Sequence, residues 1–88
     1  MKSIDLSALK VQIDLLALAS AQTSLRRVAA SGGGEWAGAC PFCGGNDRFR
    51  VQPYARPEPR WLCRHCTDGK WQDAIAFGQR LYPHLSFR

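Results

Sequence analysis

The sequence lacks an uninterrupted apolar run, and its acidic residues are few. Its most apolar stretch, residues 4–19, is broken by Asp5, Lys10, Gln12 and Asp14. It therefore fits neither the apolar core of a secretory signal nor a membrane-spanning helix, and we expect a cytoplasmic protein without membrane contact. Seven acidic residues stand against 12 lysines and arginines, for a net charge of +5. This balance indicates either a solvated basic surface or a polyanionic partner.

Four cysteines form two Cys-x-x-Cys pairs, at 40–43 and 63–66, with nineteen residues between the pairs. This spacing is typical of a closed four-thiolate zinc site, in which each pair lies on a tight turn and supplies two sulfurs. Pro41 fixes one φ angle in the first turn, and Gly44 and Gly45 permit positive φ directly after it. The sequence thus predicts one structural zinc ion bound by Cys40, Cys43, Cys63 and Cys66.

Three other chemistries could use cysteines at these positions. Disulfides are disfavoured because a chain without a secretory signal belongs in a reducing compartment. A redox-active first pair would need a helix beginning at Cys40, whereas the glycines at 44–45 oppose one. His65 lies inside the second pair and could replace one of its cysteines as a ligand. Because ligands three residues apart are the commoner geometry, we place His65 at the surface and keep its ligation as the alternative.

The spacing of apolar residues predicts one small α+β domain over residues 1–88. Helical periodicity covers about residues 5–20 and again about 71–81. Between the helices, at about 23–68, a glycine turn and the alternation of polar and apolar residues at 48–52 predict an antiparallel sheet of about four strands. The expected architecture is a zinc ribbon flanked by an N-terminal and a C-terminal helix.

Basic and aromatic residues are interleaved around the cysteine pairs, a pattern found on surfaces that bind single-stranded nucleic acid. In the predicted central strand, Arg48 and Arg50 share one face, and Phe49 and Val51 share the buried one. Because neither arginine is assigned to the core or the metal, we expect their replacement by glutamate to leave fold and zinc content intact. Trp61 is either core, the favoured interpretation, or a platform on which bases stack.

Three segments carry a recognisable pattern in this order along the chain. They are Cys-Pro-Phe-Cys-Gly-Gly-Asn-Asp-Arg-Phe-Arg-Val at 40–51, Trp-Leu-Cys-Arg-His-Cys at 61–66 and Gly-Lys-Trp-Gln-Asp-Ala-Ile-Ala-Phe at 69–77. Together they resemble the zinc-binding domain of DNA primases, above all that of phage and plasmid primase–helicases, where a CPxCGGxDRF segment is characteristic. The likeness covers about residues 13–81. It implies a phage or mobile-element context.

The resemblance implies a module that recognises single-stranded DNA template for primer synthesis in DNA replication. Its partner would be a separate primase catalytic domain, in cis or in trans, either alone or together with a helicase. The resemblance also implies that the four cysteines bind zinc and that Asp47 and Arg48 lie near the DNA. To these we add residues whose contact with DNA is favoured by strand alternation, by a position in or beside a cysteine turn, or by an aromatic ring. The predicted DNA-contacting set is Asp47, Arg48, Arg50, Arg60, Trp61, Arg64 and His65.

Two classes of function remain open at this point. Primases of this family hold Mg²⁺ with clustered carboxylates in a catalytic domain, and the seven acids here form no such cluster along the sequence. We therefore expect no catalysis by the chain itself. The alternative is a zinc ribbon for protein–protein contact in a replication or transcription assembly, because ribbons serve many functions. A DNA module needs the face with Arg48 and Arg50, whereas a docking ribbon would expose an apolar patch.

Overall fold

The computed structural model describes residues 14–83, in which two helices flank a five-stranded antiparallel sheet. The strands follow one another across the sheet in sequence order. The predicted α+β class, with a sheet between two helices, is confirmed. The elements are α1 (Leu15–Ser20), β1 (Leu25–Ala29), a 3₁₀ turn (Ser31–Gly33), β2 (Glu35–Cys40), β3 (Gly44–Gln52), β4 (Arg60–Cys63), β5 (Gln72–Asp73) and α2 (Ala74–Leu81).

The sheet has one strand more than the sequence predicts. Gln72 and Asp73 form β5 by pairing with the first two residues of β4. A strand of two residues is too short for an alternating pattern, so it is defined only by its pairing with another strand. Because Gln72 and Asp73 belong to this strand, α2 begins at Ala74 and not at about residue 71, where the sequence predicts its start.

Large side chains on one face of the sheet form the core. Phe49 of β3 and Trp61 of β4 pack against Phe77 of α2, with ring centroids 5.4 to 5.9 Å apart. Leu15 of α1 and Val51 belong to the same cluster, and all five side chains are at most 1% exposed. Truncating such a ring to alanine typically costs roughly 3–5 kcal/mol. This face is therefore committed to packing.

Trp61 is a core residue, and the prediction that it contacts DNA is wrong. Its side chain is 0% exposed, and its indole N–H donates a 2.8 Å hydrogen bond to the backbone carbonyl of Asp73. Burial removes a large apolar surface from water, and the hydrogen bond satisfies the one polar group of the ring. A base cannot stack on a ring that is enclosed in this way.

Aspartate side chains begin both helices. Oδ1 of Asp14 accepts a hydrogen bond from the N–H of Ala17 at 3.0 Å, and Oδ1 of Asp73 accepts one from Ala76 at 2.7 Å. Such caps satisfy N–H groups without a helical partner and typically contribute about 1 kcal/mol each.

The predicted start of the first helix, at about residue 5, lies outside the described residues. Neither helix within residues 14–83 is long and apolar enough to cross a membrane.

The antiparallel strands place two different sets of connections at the two ends of the sheet. At one end, named the zinc end, residues 40–43 join β2 to β3, and residues 63–66 follow β4. At the opposite end, named the loop end, lie the 3₁₀ turn Ser31–Gly33 and the proline-containing connection 53–59. The cysteine pairs are thus brought together, although they are far apart in sequence.

Candidate metal centre and polar sheet face

The four cysteines converge at the zinc end. Their sulfur atoms all lie within 4.8 Å of one another, with Cys40 Sγ 3.9 Å from Cys66 Sγ and Cys43 Sγ 3.5 Å from Cys63 Sγ. Zinc–sulfur bonds of about 2.3 Å in a tetrahedron separate the sulfurs by about 3.8 Å, so the observed set fits one zinc ion. No disulfide joins these cysteines, and all four thiols are available to a metal.

Backbone N–H groups point at the sulfurs. Cys40 Sγ accepts from the N–H of Phe42 at 3.4 Å, and Cys63 Sγ accepts from the N–H of Cys66 at 3.2 Å. Such bonds orient metal ligands and stabilise their anionic form. Gly44 follows the first turn at φ 80, a conformation that residues with a side chain rarely adopt. The first cysteine turn therefore depends on its glycine as well as its sulfurs.

Thr67 supports the second turn, a role that is not predicted from the sequence. Its buried hydroxyl accepts from the N–H of Cys63 at 3.1 Å and donates to the carbonyl of Lys70 at 2.8 Å. Threonine commonly makes local bonds of this kind, so residue type alone does not mark Thr67 as a support for a ligand. His65, the alternative ligand, is exposed and does not belong to the group of converging ligand atoms.

The surroundings of the thiols favour different charge states. Burial is the main cause that raises the pKa of the Cys40 and Cys66 thiols, and hydrogen bonds with neighbouring sulfurs raise it further. Burial also opposes ionisation of Cys43, but hydrogen bonds from the neighbouring thiols, from His65 and from Arg48 outweigh it and lower its pKa to about 6. Because zinc binds thiolates, metal binding at neutral pH must release protons from Cys40 and Cys66.

A known family covers the segment that carries these sulfurs. Residues 35–74 match the family model of the zinc-binding domain of primase-helicase. The resemblance to primase zinc ribbons is confirmed over these residues. No curated protein and no solved structure gives a significant match to the chain. The primase-helicase match spans a little under half of the chain, from β2 to the first residue of α2, and contains all four cysteines, so zinc is the ion that this centre suits.

Opposite the core, the sheet carries a continuous set of hydrogen-bonded polar side chains, named the polar network. Arg60 donates to Gln52 at 2.8 Å, and Gln52 donates to Glu35 at 2.8 Å. Arg50 donates to Glu35 at 3.0 Å and to Asp47 at 3.1 Å. The network thereby links β2, β3 and β4 on their polar face. Its members are Arg26, Glu35, Asp47, Arg50, Gln52 and Arg60.

The predicted DNA-contacting arginines of this network are held by partners. The Arg50 side chain is only 18% exposed and is paired with two carboxylates. The Arg60 guanidinium lies 4.5 Å from the centroid of the Trp71 ring. Asp47 also accepts from Arg26 at 3.3 Å. Strand alternation predicts the face on which an arginine lies, but its partner depends on the register of the neighbouring strand.

Arg48 and Arg64 lie at the zinc end of the same face. The N–H of Arg64 donates to the carbonyl of Arg48 at 2.9 Å, which extends the β3–β4 ladder by one pair beyond Cys63. This bond brings the two backbones together, and because residues paired across a ladder project their side chains to the same side, we infer that both arginines lie on the polar face. Arg48 also donates to Cys43 Sγ at 3.8 Å. It therefore belongs to the surroundings of the metal centre as well as to the polar face.

The prediction that glutamate at both Arg48 and Arg50 leaves fold and zinc content intact assumed that neither residue belongs to the core or the metal site, and the structure contradicts that assumption. Arg48 donates a hydrogen bond to a sulfur of the metal centre, and Arg50 is largely buried in ion pairs, so charge reversal at both would disturb fold and site.

Arg64 and His65 are exposed on the second cysteine turn. Among residues 14–83, no salt bridge engages Arg64. This arginine is the position where the face can be tested with least damage.

Proposed function

We propose that the chain is the single-stranded-DNA template-recognition module of a primase, and that the polar sheet face with the second cysteine turn is its contact surface. The observation that supports this most is the neighbouring pair Arg48 and Arg64. Like charges that face each other across a ladder repel, and a nearby anion relieves the repulsion. Arg48 donates a hydrogen bond to the Cys43 sulfur, which provides its nearby negative charge. Arg64 remains available to a DNA phosphate, which guanidinium groups bind well.

The polar network supports this role because it orients the arginines in advance. Arg50 and Arg60 are held by hydrogen bonds of 2.8 to 3.1 Å, so they lose little rotamer freedom when a phosphate arrives. Zinc, when bound, supplies no reaction and serves to hold the two cysteine turns together. On those turns, Arg64 would contact phosphate. Asp47 and His65 are our candidates for contacts with base edges.

The primase-helicase match also suggests the partner. We propose that the chain acts with a separate primase catalytic domain, in cis or in trans and either with or without a helicase, and makes no primer by itself. Four reduced thiols suit the reducing cytoplasm, which we propose as its location. With template, nucleotides and Mg²⁺, the purified chain should form no dinucleotide. Template-dependent synthesis by the chain alone would contradict this part of the proposal.

A salt titration of DNA binding tests the central claim. Each phosphate that a protein neutralises on a single strand contributes about −0.7 to the slope of log K against log salt concentration. With three or four contacts, we expect a slope of roughly −2 to −3. Fluorescence anisotropy with a labelled oligonucleotide measures it on the zinc-loaded chain. Absence of binding, or an affinity that does not change with salt, would contradict the proposal.

Arg64→Gln and Arg80→Gln form a matched pair that locates the surface. Each removes one exposed positive charge. Arg64 lies on the polar face, whereas Arg80 lies on α2 beside the Trp61 ring and donates to the Cys66 carbonyl at 3.4 Å, so both variants are compared at one zinc per chain. We expect Arg64→Gln to make the salt slope shallower by about 0.7 and Arg80→Gln to leave it near the parent's value. Equal effects would mean that only net charge matters, and the contact surface would have to be placed elsewhere.

Protein docking is the second candidate function, and one groove favours it. Between the helices lies an opening of about 540 Å³, lined mainly by apolar groups, including Leu18, Ile75 and Tyr82. We rank this function second because the groove adjoins another apolar segment of the same chain. Asp14 lines the groove, and the apolar helical stripe that the sequence predicts lies directly before Asp14. Ala17→Arg, at an exposed groove position, should abolish a partner contact there and leave DNA binding unchanged.

A further inference from the structure

Two aromatic rings at the loop end are more exposed than those of the core. Tyr54 is 60% exposed, and Trp36 of β2 is half-buried beside it. Their ring centroids lie 5.9 Å apart with the planes at 77°, an edge-to-face pair. Trp36 lies opposite Val51 in the β2–β3 register but does not belong to the core cluster. The pair therefore presents aromatic surface to solvent at a defined position.

The backbone of the glycine turn and one arginine surround this pair. A Cβ at Gly34 would lie 2.8 Å from the Trp36 ring, and a Cβ at Gly33 would lie 3.1 Å from Tyr54 Cβ, so the turn packs directly against both residues. The Arg27 guanidinium lies 5.8 Å from the centroid of the Trp36 ring. The rings are thus held in place with a cation beside them, the combination by which proteins bind single strands.

We propose that Trp36 and Tyr54 form a base-stacking site for single-stranded nucleic acid, with Arg27 contacting an adjacent phosphate. The inference rests on the proposed function and deepens it, because it adds base contacts to the phosphate contacts of the polar face. Charge indicates the occupant: Arg27 is exposed, and so is Arg56, two residues after Tyr54. A nucleic acid offers π faces and negative charge together, which matches exposed rings beside cations.

The edge strand β1 connects this site with the polar face. Arg26 and Arg27 are consecutive in the strand, so their side chains point to opposite faces of the sheet. Arg26 pairs with Asp47 on the polar face, whereas Arg27 lies over Trp36. A nucleic-acid strand that crosses β1 would meet cations on both faces. Trp36 lies four residues along β2 from Cys40, about 13 Å in a strand, so the stacking site is separate from the metal centre.

Oligonucleotides with and without bases distinguish stacking from phosphate contact. The probes are labelled oligo(dT) of about ten nucleotides and an abasic strand with the same number of phosphates, titrated with the zinc-loaded full chain. The parent should bind oligo(dT) more tightly. We expect Tyr54→Ala to weaken oligo(dT) binding about tenfold and abasic binding less than about twofold. Tyr54→Phe keeps the ring and should match the parent, as should Tyr82→Ala, which removes another exposed tyrosine.

The outcomes distinguish this inference from the proposed function. If Tyr54→Ala weakens both probes equally or neither, the stacking site is overturned and the polar face stands. If the parent binds neither probe, both proposals are overturned. A second readout covers misfolding of Tyr54→Ala: oligo(dT) should quench tryptophan emission in the parent and in Trp71→Phe, and much less in Trp36→Phe, where Trp71 beside Arg60 is the remaining exposed tryptophan among the described residues. Unchanged quenching in Trp36→Phe would also overturn the stacking site.

Discussion

The zinc end and the loop end of the sheet are held together by different interactions. At the zinc end, four sulfurs lie within 4.8 Å of one another, and Arg48 approaches them from the polar face. At the loop end, a glycine turn packs against the edge-to-face pair of Trp36 and Tyr54. A structural zinc can contribute on the order of 10 kcal/mol, as much as a domain's whole stability, whereas an aromatic pair adds about 1 kcal/mol. Loss of zinc should therefore destabilise the fold far more than loss of the aromatic pair at the loop end.

The largest expected effect contrasts the two ends directly. Cys63→Ser removes a fully buried ligand, so we expect loss of zinc and unfolding of the C-terminal half, because an incomplete site cannot supply its binding free energy. Tyr54→Ala at the loop end is the control and should keep one zinc per chain. Metal analysis and circular dichroism of reduced protein measure both variants. A folded parent without zinc would contradict the metal centre itself and would revive the redox interpretation.

Acid should release the zinc end before it affects the loop end. The pKa values of Cys40 and Cys66 lie above the ordinary thiol value, while that of Cys43 is about 6. At neutral pH, Cys43 is thus already ionised, and zinc must displace protons from the other two at least. Lowering the pH should weaken zinc affinity by at least about a hundredfold per unit, and more steeply once Cys43 is protonated too. Competition with a chelator across pH measures this; a slope of one proton or fewer would disprove it.

A smaller effect separates the buried part of the polar network from its exposed part. Glu35 is 15% exposed and accepts from Arg50 and Gln52, so Glu35→Gln should lower the free energy of unfolding by about 2 kcal/mol. Asp47 is 46% exposed, and Asp47→Asn should cost less than about 1 kcal/mol because water screens exposed pairs. Chemical denaturation at fixed zinc concentration compares the two. Equal losses would show that burial does not set the strength of these pairs.

The smallest expected effect concerns the charge of the polar face. Asp47→Asn removes a carboxylate that pairs with Arg26 and Arg50, so the exposed Arg26 becomes available to phosphate, while Arg50 keeps its pair with Glu35. Oligo(dT) affinity should rise roughly two- to fivefold, with a steeper salt dependence. Asp68→Asn, on the exposed turn after the second cysteine pair, makes the same charge change and should alter affinity less. Weakened binding to particular base sequences alone would indicate that Asp47 contacts a base edge instead.

Local sequence was sufficient to predict the ligands of the metal centre and the buried face of β3. A Cys-x-x-Cys turn specifies two ligand positions within four residues, and only the meeting of two such turns depends on the fold. Alternation placed Phe49 and Val51 in the core for the same reason, because neighbours along a strand must point to opposite faces. It could not reveal Thr67, whose support of Cys63 arises from the shape of the second turn.

The sequence by itself determined the zinc ligand set, the helix–sheet–helix order and the basic charge of this protein, because each depends on residue type and short-range spacing. Tertiary structure alone decided three further points. Register brought Glu35 of β2 against Arg50 of β3, so that a predicted DNA-contacting arginine is held in an ion pair. Pairing with β4 created β5, and the packing of α2 enclosed Trp61. Each of these depends on which strand or helix lies alongside, and that long-range information is absent from any local pattern.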